Sequence, residues 1–167
     1  MPVYHFTIHA YQSWTYDNPN GFVKRARPGV HAPDARLAAV QRRLARAPAV
    51  RFSEAESQFL IDACREVAER RKCIYYGGTV VATHIHAVIG WRDARTPQQI
   101  QTSFKRGLGY LLSKHRGKHG VPLLSRGGAP EPVRDMAHLY HLLHFYFPNH
   151  NSIYYRVDLT KLKPRTP

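Results

Sequence analysis

Hydrophobic and polar residues alternate over the opening part of the chain, the spacing of a strand that buries one face. This first run, 3–9, is rich in aromatic and β-branched residues. Two later apolar runs follow each other so closely, around Ala82 and Thr83, that they predict an antiparallel hairpin. The strands predicted from such runs cover residues 3–9, 73–81, 84–91, 121–124 and 152–158.

Three longer segments carry apolar residues at helical spacing. Ser53 and Glu56 have the spacing of a capping box, and the residues after them predict a helix to about Arg70. Thr96 followed by Pro97 is a strong helix start, because proline suits the first helical position. A third helix is predicted over 133–146. The predicted buried positions are Leu60, Ile61, Cys64 and Val67 in the first helix, Ile100, Phe104, Leu108 and Leu111 in the second, and Leu139, Leu142 and Leu143 in the third.

Elements in this order predict an α+β fold, an antiparallel sheet of about four to five strands with helices packed on one face. A length of 167 residues fits one domain, predicted to span 1–160. The basic segment at about 17–52 is interpreted as an insertion with a short helix near 34–47. This segment either contacts nucleic acid or is a solvent-exposed insertion without a binding role. The basic end at 161–167 is predicted to be a loose tail.

The charge of the chain adds a candidate partner. Lysine and arginine number 25 against 11 acidic residues, a formal net charge of +14. Such an excess favours a polyanionic partner, most often nucleic acid, although a solvated basic surface or a ribosome-like protein would also show it. The second predicted helix carries no acid between Gln101 and Gly120. The residues expected to contact the DNA backbone are Lys105, Arg106, Lys114, Arg116 and Lys118.

Signals for export or for a membrane are not evident in the sequence. Residues 1–6 lack the basic and apolar regions of a signal peptide, and no run approaches the roughly 18 apolar residues that span a bilayer. Cys64 and Cys73 have neither the spacing of a metal-binding pair nor that of a disulfide framework. We therefore expect a cytoplasmic protein with no membrane partner.

The first candidate functional group in the sequence is the histidine pair of His84-Ile85-His86. On a strand the two histidines point to one face and Ile85 to the other, so two imidazoles stand side by side on a rigid scaffold. Imidazole is a common ligand of divalent metals and by itself suits Zn, Cu or Ni. The same pattern also occurs in zinc hydrolases, in cupin barrels and as two half-exposed structural histidines.

A second candidate group lies near the end of the third predicted helix. Tyr146 is followed four residues later by His150, and such positions project from one face of a helix. Tyr146 also follows Leu142 and Leu143 at helical spacing, so the face that packs on the sheet presents it. We expect His150 to approach His84 and His86 as a third ligand. Pro148, between Tyr146 and His150, predicts a kink or the end of the helix.

These residues together resemble the HUH motif (His, hydrophobic, His) and the tyrosine helix of single-tyrosine transposases. That family includes the REP-associated tyrosine transposases and small insertion-sequence transposases. Tyr146-Phe147-Pro148-Asn149-His150 is similar to the family's tyrosine and metal-binding residue four positions on. The glycine turn at 126–130 and the opening strand at 4–8, followed by Ser13-Trp14, also resemble the family pattern. The resemblance extends from residue 3 to about 155.

The resemblance implies a ferredoxin-like or RRM-like HUH fold and a bacterial-type, DNA-associated transposase. Tyr146 is then the catalytic nucleophile, and His84, His86 and His150 are ligands of Mg²⁺ or Mn²⁺. The implied reaction cleaves and rejoins single-stranded or hairpin DNA through a 5′-phosphotyrosine intermediate, which is DNA transposition. Relatives include dimers, so a homodimer is one expected state.

Three alternatives stay open at this stage. Another HUH endonuclease, a replication initiator or relaxase, would use the same motif, usually in a longer chain. A zinc-dependent hydrolase would need a carboxylate close to the histidines, and Asp93 is seven residues beyond His86. A non-catalytic nucleic-acid binder would bind hairpins and form no covalent adduct.

Overall fold

The computed structural model describes residues 1–24 and 27–159. The predicted tail at 161–167 lies outside these residues. Within them, one antiparallel sheet has the strand order β6-β1-β5-β4-β7, and β2 pairs with β3 apart from it. The elements are β1 (Val3–His9), β2 (Phe22–Lys24), β3 (Arg27–His31), α1 (Ala35–Arg43), α2 (Glu54–Arg70), β4 (Ile74–Val81), β5 (His84–Gly90), α3 (Pro97–His115), β6 (Glu131–Pro132), α4 (Met136–His141) and β7 (Ile153–Arg156).

The predicted class, α+β with an antiparallel sheet of four to five strands, is confirmed. β1 has the bounds predicted for it, and the β4–β5 hairpin turns at Ala82 and Thr83. The predicted strand at 121–124 is wrong: Leu124 makes only an isolated bridge with Ala10. Pro122 accounts for the difference, because proline cannot donate to a strand ladder. The fifth strand is β6 instead, which pairs with β1.

The central strands have two chemically different faces. On β1 and β5 alternate side chains point to opposite sides, and the register pairs His9 with His84 and Thr7 with His86. The apolar face carries residues that are almost fully buried, and the opposite face, called here the histidine face, is polar from His5 to His9 and from His84 to His86 and apolar at Val3 and Val88. The apolar face is formed by Phe6, Ile8, Ile85, Ala87 and Ile89, and the histidine face by His5, Thr7, His9, His84 and His86.

α2 and α3 cover the apolar face. Each begins with a capping box, in which Ser53 pairs with Glu56 and Thr96 with Gln99, so two backbone donors at each helix start are satisfied. Both helices bury an apolar stripe against the sheet. The predicted stripe of α3 differs at one position: Leu112 is fully buried, whereas Leu111 is only partly buried.

The last helical segment lies on the histidine face, across the sheet from α2 and α3, so the prediction that the helices pack on one face of the sheet is wrong in this respect. After α4 the backbone continues as a π-helical turn, Leu142–Tyr146, and a 3-10 turn, Pro148–His150. Leu143 approaches β4 so closely that a Cβ added to Gly77 would lie 2.7 Å from its Cδ2 atom. Glycine at position 77 therefore lets this segment rest on the strand. The second core consists of Tyr76, Val88, Leu139, Leu142, Leu143 and Phe147.

The basic segment at about 17–52 contains an element that the sequence did not predict. β2 and β3 form a two-stranded antiparallel pair ahead of α1. Arg42 of α1 forms an ion pair with Asp17. One basic side chain of this segment is therefore paired with an acidic side chain of the same chain, at the surface. Among the described residues, no helix is both long enough and apolar enough to cross a membrane.

Candidate metal centre and tyrosine

Three histidines converge on the histidine face of the sheet. His84 and His86 come from β5, and His150 comes from the 3-10 turn that follows the π-helical turn. One possible ligand nitrogen from each lies within 4.8 Å of the other two. The three histidines can therefore hold a metal ion. Among the described residues, these three histidines form the one group of three or more side chains that could hold a metal ion, and the group contains no carboxylate.

In each of these histidines the Nδ1 atom already has a hydrogen-bond partner. The Nδ1 of His84 lies 2.9 Å from Thr83 Oγ1, and that of His86 lies 3.0 Å from His5 Nε2. The Nδ1 of His150 donates to the Tyr146 carbonyl oxygen at 2.8 Å. Engagement of one ring nitrogen leaves the other available to a metal, the usual arrangement around metal-binding histidines.

The Nε2 atom of His86 provides a direct test of whether a metal fits. It is buried and has no hydrogen-bond partner among the described residues. A buried polar atom without a partner is costly, unless an ion or water occupies the site. The imidazoles of His84, His86 and His150 together form a donor set that suits Zn, Cu or Ni. The residues at the centre fit a divalent metal.

Burial keeps the strand histidines neutral. Burial, with smaller effects of His9 and His150, lowers the pKa of His84 to about 4. Burial, followed by the nearby His5, lowers the pKa of His86 to about 2. Imidazole must be deprotonated to bind a metal, so both side chains are in the binding form at neutral pH.

Tyr146 lies beside these histidines. Its ring centroid is 5.3 Å from that of His86 and 4.6 Å from that of His150, both edge-on. Burial raises the pKa of Tyr146, and the negative charge of Glu131 raises it further. The hydroxyl is therefore protonated at neutral pH, and its proton must leave if its oxygen is to attack an electrophile.

Pro148 shapes the approach of His150 to Tyr146. Proline lacks the backbone N–H that would continue the helix, and the Phe147 N–H bonds to the Leu142 carbonyl in a π turn. The backbone N–H of His150 then bonds to Phe147 instead of Tyr146. The Tyr146 carbonyl is satisfied by the His150 side chain. The α-helix is interrupted near Pro148, as predicted, and the π and 3-10 turns bring the His150 side chain to the Tyr146 carbonyl.

The basic residues proposed as DNA contacts have different environments. Arg106, Lys114 and Lys118 are exposed. Lys105 is half-buried, its Nζ donates to the Gly127 carbonyl at 2.7 Å, and burial lowers its pKa to about 8. Arg116 is already engaged: its Nε lies 2.6 Å from Glu56 Oε1, and this pairing lowers the pKa of Glu56.

Arg116 also shows where the basic end of α3 lies. The ion pair joins the end of α3 to the first turn of α2. Phe52, just before α2, donates its backbone N–H to the Ala82 carbonyl in the β4–β5 turn. The exposed Lys114 and Lys118 therefore lie at the end of the sheet where His84 begins β5.

Four residues of this region were not singled out from the sequence. His5, Thr7 and His9 project from β1 onto the histidine face, and Glu131 pairs with His5 from β6. The signal for the first three is the alternation of 3–9, which places them on one face by the same rule that pairs His84 with His86. Nothing in the local sequence indicates Glu131, because its neighbour in space is 126 residues away (131 − 5).

No family model matches the chain, and no curated protein matches it. Among solved structures, it is similar to a REP-associated tyrosine transposase bound to a REP hairpin, with a TM-score of 0.48 and 12% sequence identity. The match covers 90% of this chain and 67% of that one. At this TM-score and identity the likeness carries no argument about family or activity.

Proposed function

We propose that this protein is a metal-dependent transposase that cleaves and rejoins single-stranded or hairpin DNA, with Tyr146 as the nucleophile. One observation carries the proposal: a tyrosine from the last helical segment lies edge-on against two histidines of a three-histidine group on the sheet. A nucleophile and a metal-binding group at one place on a strongly basic chain suit attack on a phosphodiester. We further propose that residues 1–160 form one such domain.

The proposed reaction is a transesterification. The Tyr146 oxygen attacks phosphorus and its proton leaves, while the bond from phosphorus to the 3′ oxygen breaks and that oxygen takes up a proton. The products are a 5′-phosphotyrosine and a free 3′-OH. Attack of a 3′-OH on the phosphotyrosine reverses these changes, so joining needs no ATP.

His84, His86 and His150 are the proposed ligands of a divalent metal, Mn²⁺ or Mg²⁺. Such an ion supplies charge stabilisation at the phosphate oxygens and orients the scissile bond. The protein holds two ligands on a strand within the sheet and the third on the segment that carries the nucleophile. This arrangement favours one relative position of Tyr146 and the phosphate, and such positioning lowers the barrier of a bond-forming step.

The main alternatives differ in what they require near the histidines. A zinc hydrolase needs a general base such as a carboxylate at the centre, and the three-histidine group of the described residues includes none. A replication initiator or relaxase would share the chemistry and differ in substrate. A non-catalytic binder would not need a tyrosine beside the metal ligands.

The test is covalent attachment to DNA. We expect the purified protein, incubated with a hairpin-bearing single-stranded oligonucleotide and Mn²⁺, to give a protein–DNA adduct that survives a denaturing gel. EDTA added before the oligonucleotide should prevent adduct formation, because the histidines then hold no ion. Absence of an adduct with Mn²⁺, Mg²⁺ and Zn²⁺ alike, while the oligonucleotide still binds, would favour the non-catalytic binder.

The exposed lysines at the end of α3 are proposed phosphate contacts. We expect the double variant Lys114→Gln/Lys118→Gln to bind single-stranded DNA less tightly. The slope of log K against log salt should fall by about 1.4, because each lost phosphate contact removes about 0.7. Fluorescence anisotropy at several salt concentrations measures both quantities.

Arg116→Gln is the matched control for this pair of lysines. Its guanidinium binds Glu56 and the Arg51 carbonyl, so we expect a lower melting temperature and an unchanged salt slope. A salt slope that falls with Arg116→Gln and stays constant in the lysine variant would reverse these assignments.

A further inference from the structure

A histidine pair links the candidate metal centre to the neighbouring strand. The His5 Nε2 and His86 Nδ1 atoms are 3.0 Å apart, and the two residues are only 5% and 4% exposed. A hydrogen bond between two neutral imidazoles needs one protonated and one unprotonated nitrogen. The direction of this bond therefore decides which nitrogen of His86 carries its proton.

The environment of the pair favours one direction. If His5 donated, its Nδ1 lone pair would face Glu131, whose carboxylate Oε2 lies 3.6 Å away. His86 would then carry its proton on Nε2, which has no acceptor among the described residues. If His86 donates instead, the His5 Nδ1–H faces the carboxylate, and the Nε2 lone pair of His86 faces His84 and His150. The second direction removes a repulsion and an unpaired donor.

We propose that His5 is a positioning residue that holds His86 with its proton on Nδ1, so that the Nε2 lone pair points to the metal centre. This role rests on the proposed metal site. His5 contacts the ligand and not the ion, and Glu131 orients His5 in the same way. The resulting line of carboxylate, imidazole, imidazole and metal extends from β6 through β1 to β5.

Two features determine how much His5 and Glu131 each contribute to the tautomer of His86. Thr7 Oγ1 lies 3.2 Å from the same His86 Nδ1 and, in the proposed tautomer, accepts its proton as a second partner, which reduces the effect of losing His5. The Glu131 side chain is 71% exposed, so water screens its effect on His5. Loss of the His5 acceptor should therefore matter more than loss of the Glu131 charge.

The first experiment determines the tautomer without any metal. Long-range ¹⁵N–¹H correlation spectra of the metal-free protein report which nitrogen of each histidine carries the proton. We expect Nδ1–H on both His5 and His86 in the wild type, and a mixture of His86 tautomers in His5→Phe. A wild-type His86 with its proton on Nε2 would overturn the proposal.

The second experiment measures Mn²⁺ and Zn²⁺ affinity by calorimetry. We expect His5→Phe, which keeps a ring against Tyr146 and Phe147, to weaken binding about 10-fold or more, the usual effect of losing an outer partner of a metal-binding histidine. Glu131→Gln should have a smaller effect. His5→Gln offers a carbonyl acceptor close to the lost Nε2 and should recover most of the affinity.

The matched control is His9→Phe. His9 lies on the same strand and face and pairs with His84, whose Nδ1 bonds Thr83 instead. It should retain wild-type affinity, and equal losses in His9→Phe and His5→Phe would overturn the specific role of His5. If the wild type binds neither metal, the proposed function fails, whereas the tautomer spectra still decide the role of His5.

Discussion

Tyr146→Phe should abolish covalent attachment of the protein to single-stranded DNA. The substitution removes only the hydroxyl, which makes no hydrogen bond with the described residues, and it keeps the ring that packs against His86, His150 and Phe147. We therefore expect adduct formation to fall more than about 10³-fold, as in removal of a nucleophile. DNA affinity and melting temperature should stay close to those of the wild type. A denaturing gel, anisotropy and thermal unfolding measure the three quantities.

Tyr140→Phe provides the control on the same helical segment. Tyr140 is 49% exposed and stacks on His144, away from the three histidines. It should form adduct at the wild-type rate. Persistence of the adduct in Tyr146→Phe would remove Tyr146 as the nucleophile. Loss of the adduct in Tyr140→Phe, with folding intact, would assign the chemistry to the outer surface of the helix.

His86→Ala should have the second largest effect, through the metal. It removes one of three ligand nitrogens and the one whose Nε2 atom is buried without a partner in the described part of the chain. We expect Mn²⁺ affinity to fall more than about 100-fold, beyond the 10- to 100-fold loss typical of outer partners. Adduct formation should fall with it. Calorimetry and the adduct gel, at matched metal concentrations, test both expectations.

Stability must be measured alongside, because His86→Ala also leaves the Nε2 atom of the buried His5 without its partner. An unsatisfied buried group costs about 1–3 kcal/mol, so the melting temperature should fall while the fold persists. His119→Ala, an exposed histidine after α3, controls for nonspecific loss of imidazole. A folded His86→Ala protein with wild-type Mn²⁺ affinity would contradict the assignment of this residue as a ligand.

Much of the fold could be predicted because its strands and helices have strong local signals. The alternation of 3–9 and the capping boxes at Ser53 and Thr96 act within a few residues, so they survive in the sequence as readable patterns. The strand predicted at 121–124 failed because the prediction followed the apolar residues and gave too little weight to Pro122, which has no backbone donor for the ladder. The β2–β3 pair was not predicted, because the segment at 17–52 was interpreted from its basic charge and not from its hydrophobic pattern.

The candidate site, like the fold, has features that the sequence predicts and features that only the tertiary structure shows. The sequence alone determined that His84 and His86 share one face of a strand and that Tyr146 precedes His150 by four residues. It did not determine that these two pairs meet, which depends on the last helical segment crossing the face opposite α2 and α3 and resting on Gly77. The tertiary structure also places His5 against His86, outside the three-histidine group, with Glu131 beside His5, and it pairs the Arg116 guanidinium with Glu56. Local periodicity decides which way a side chain points, whereas packing between distant segments decides what it faces.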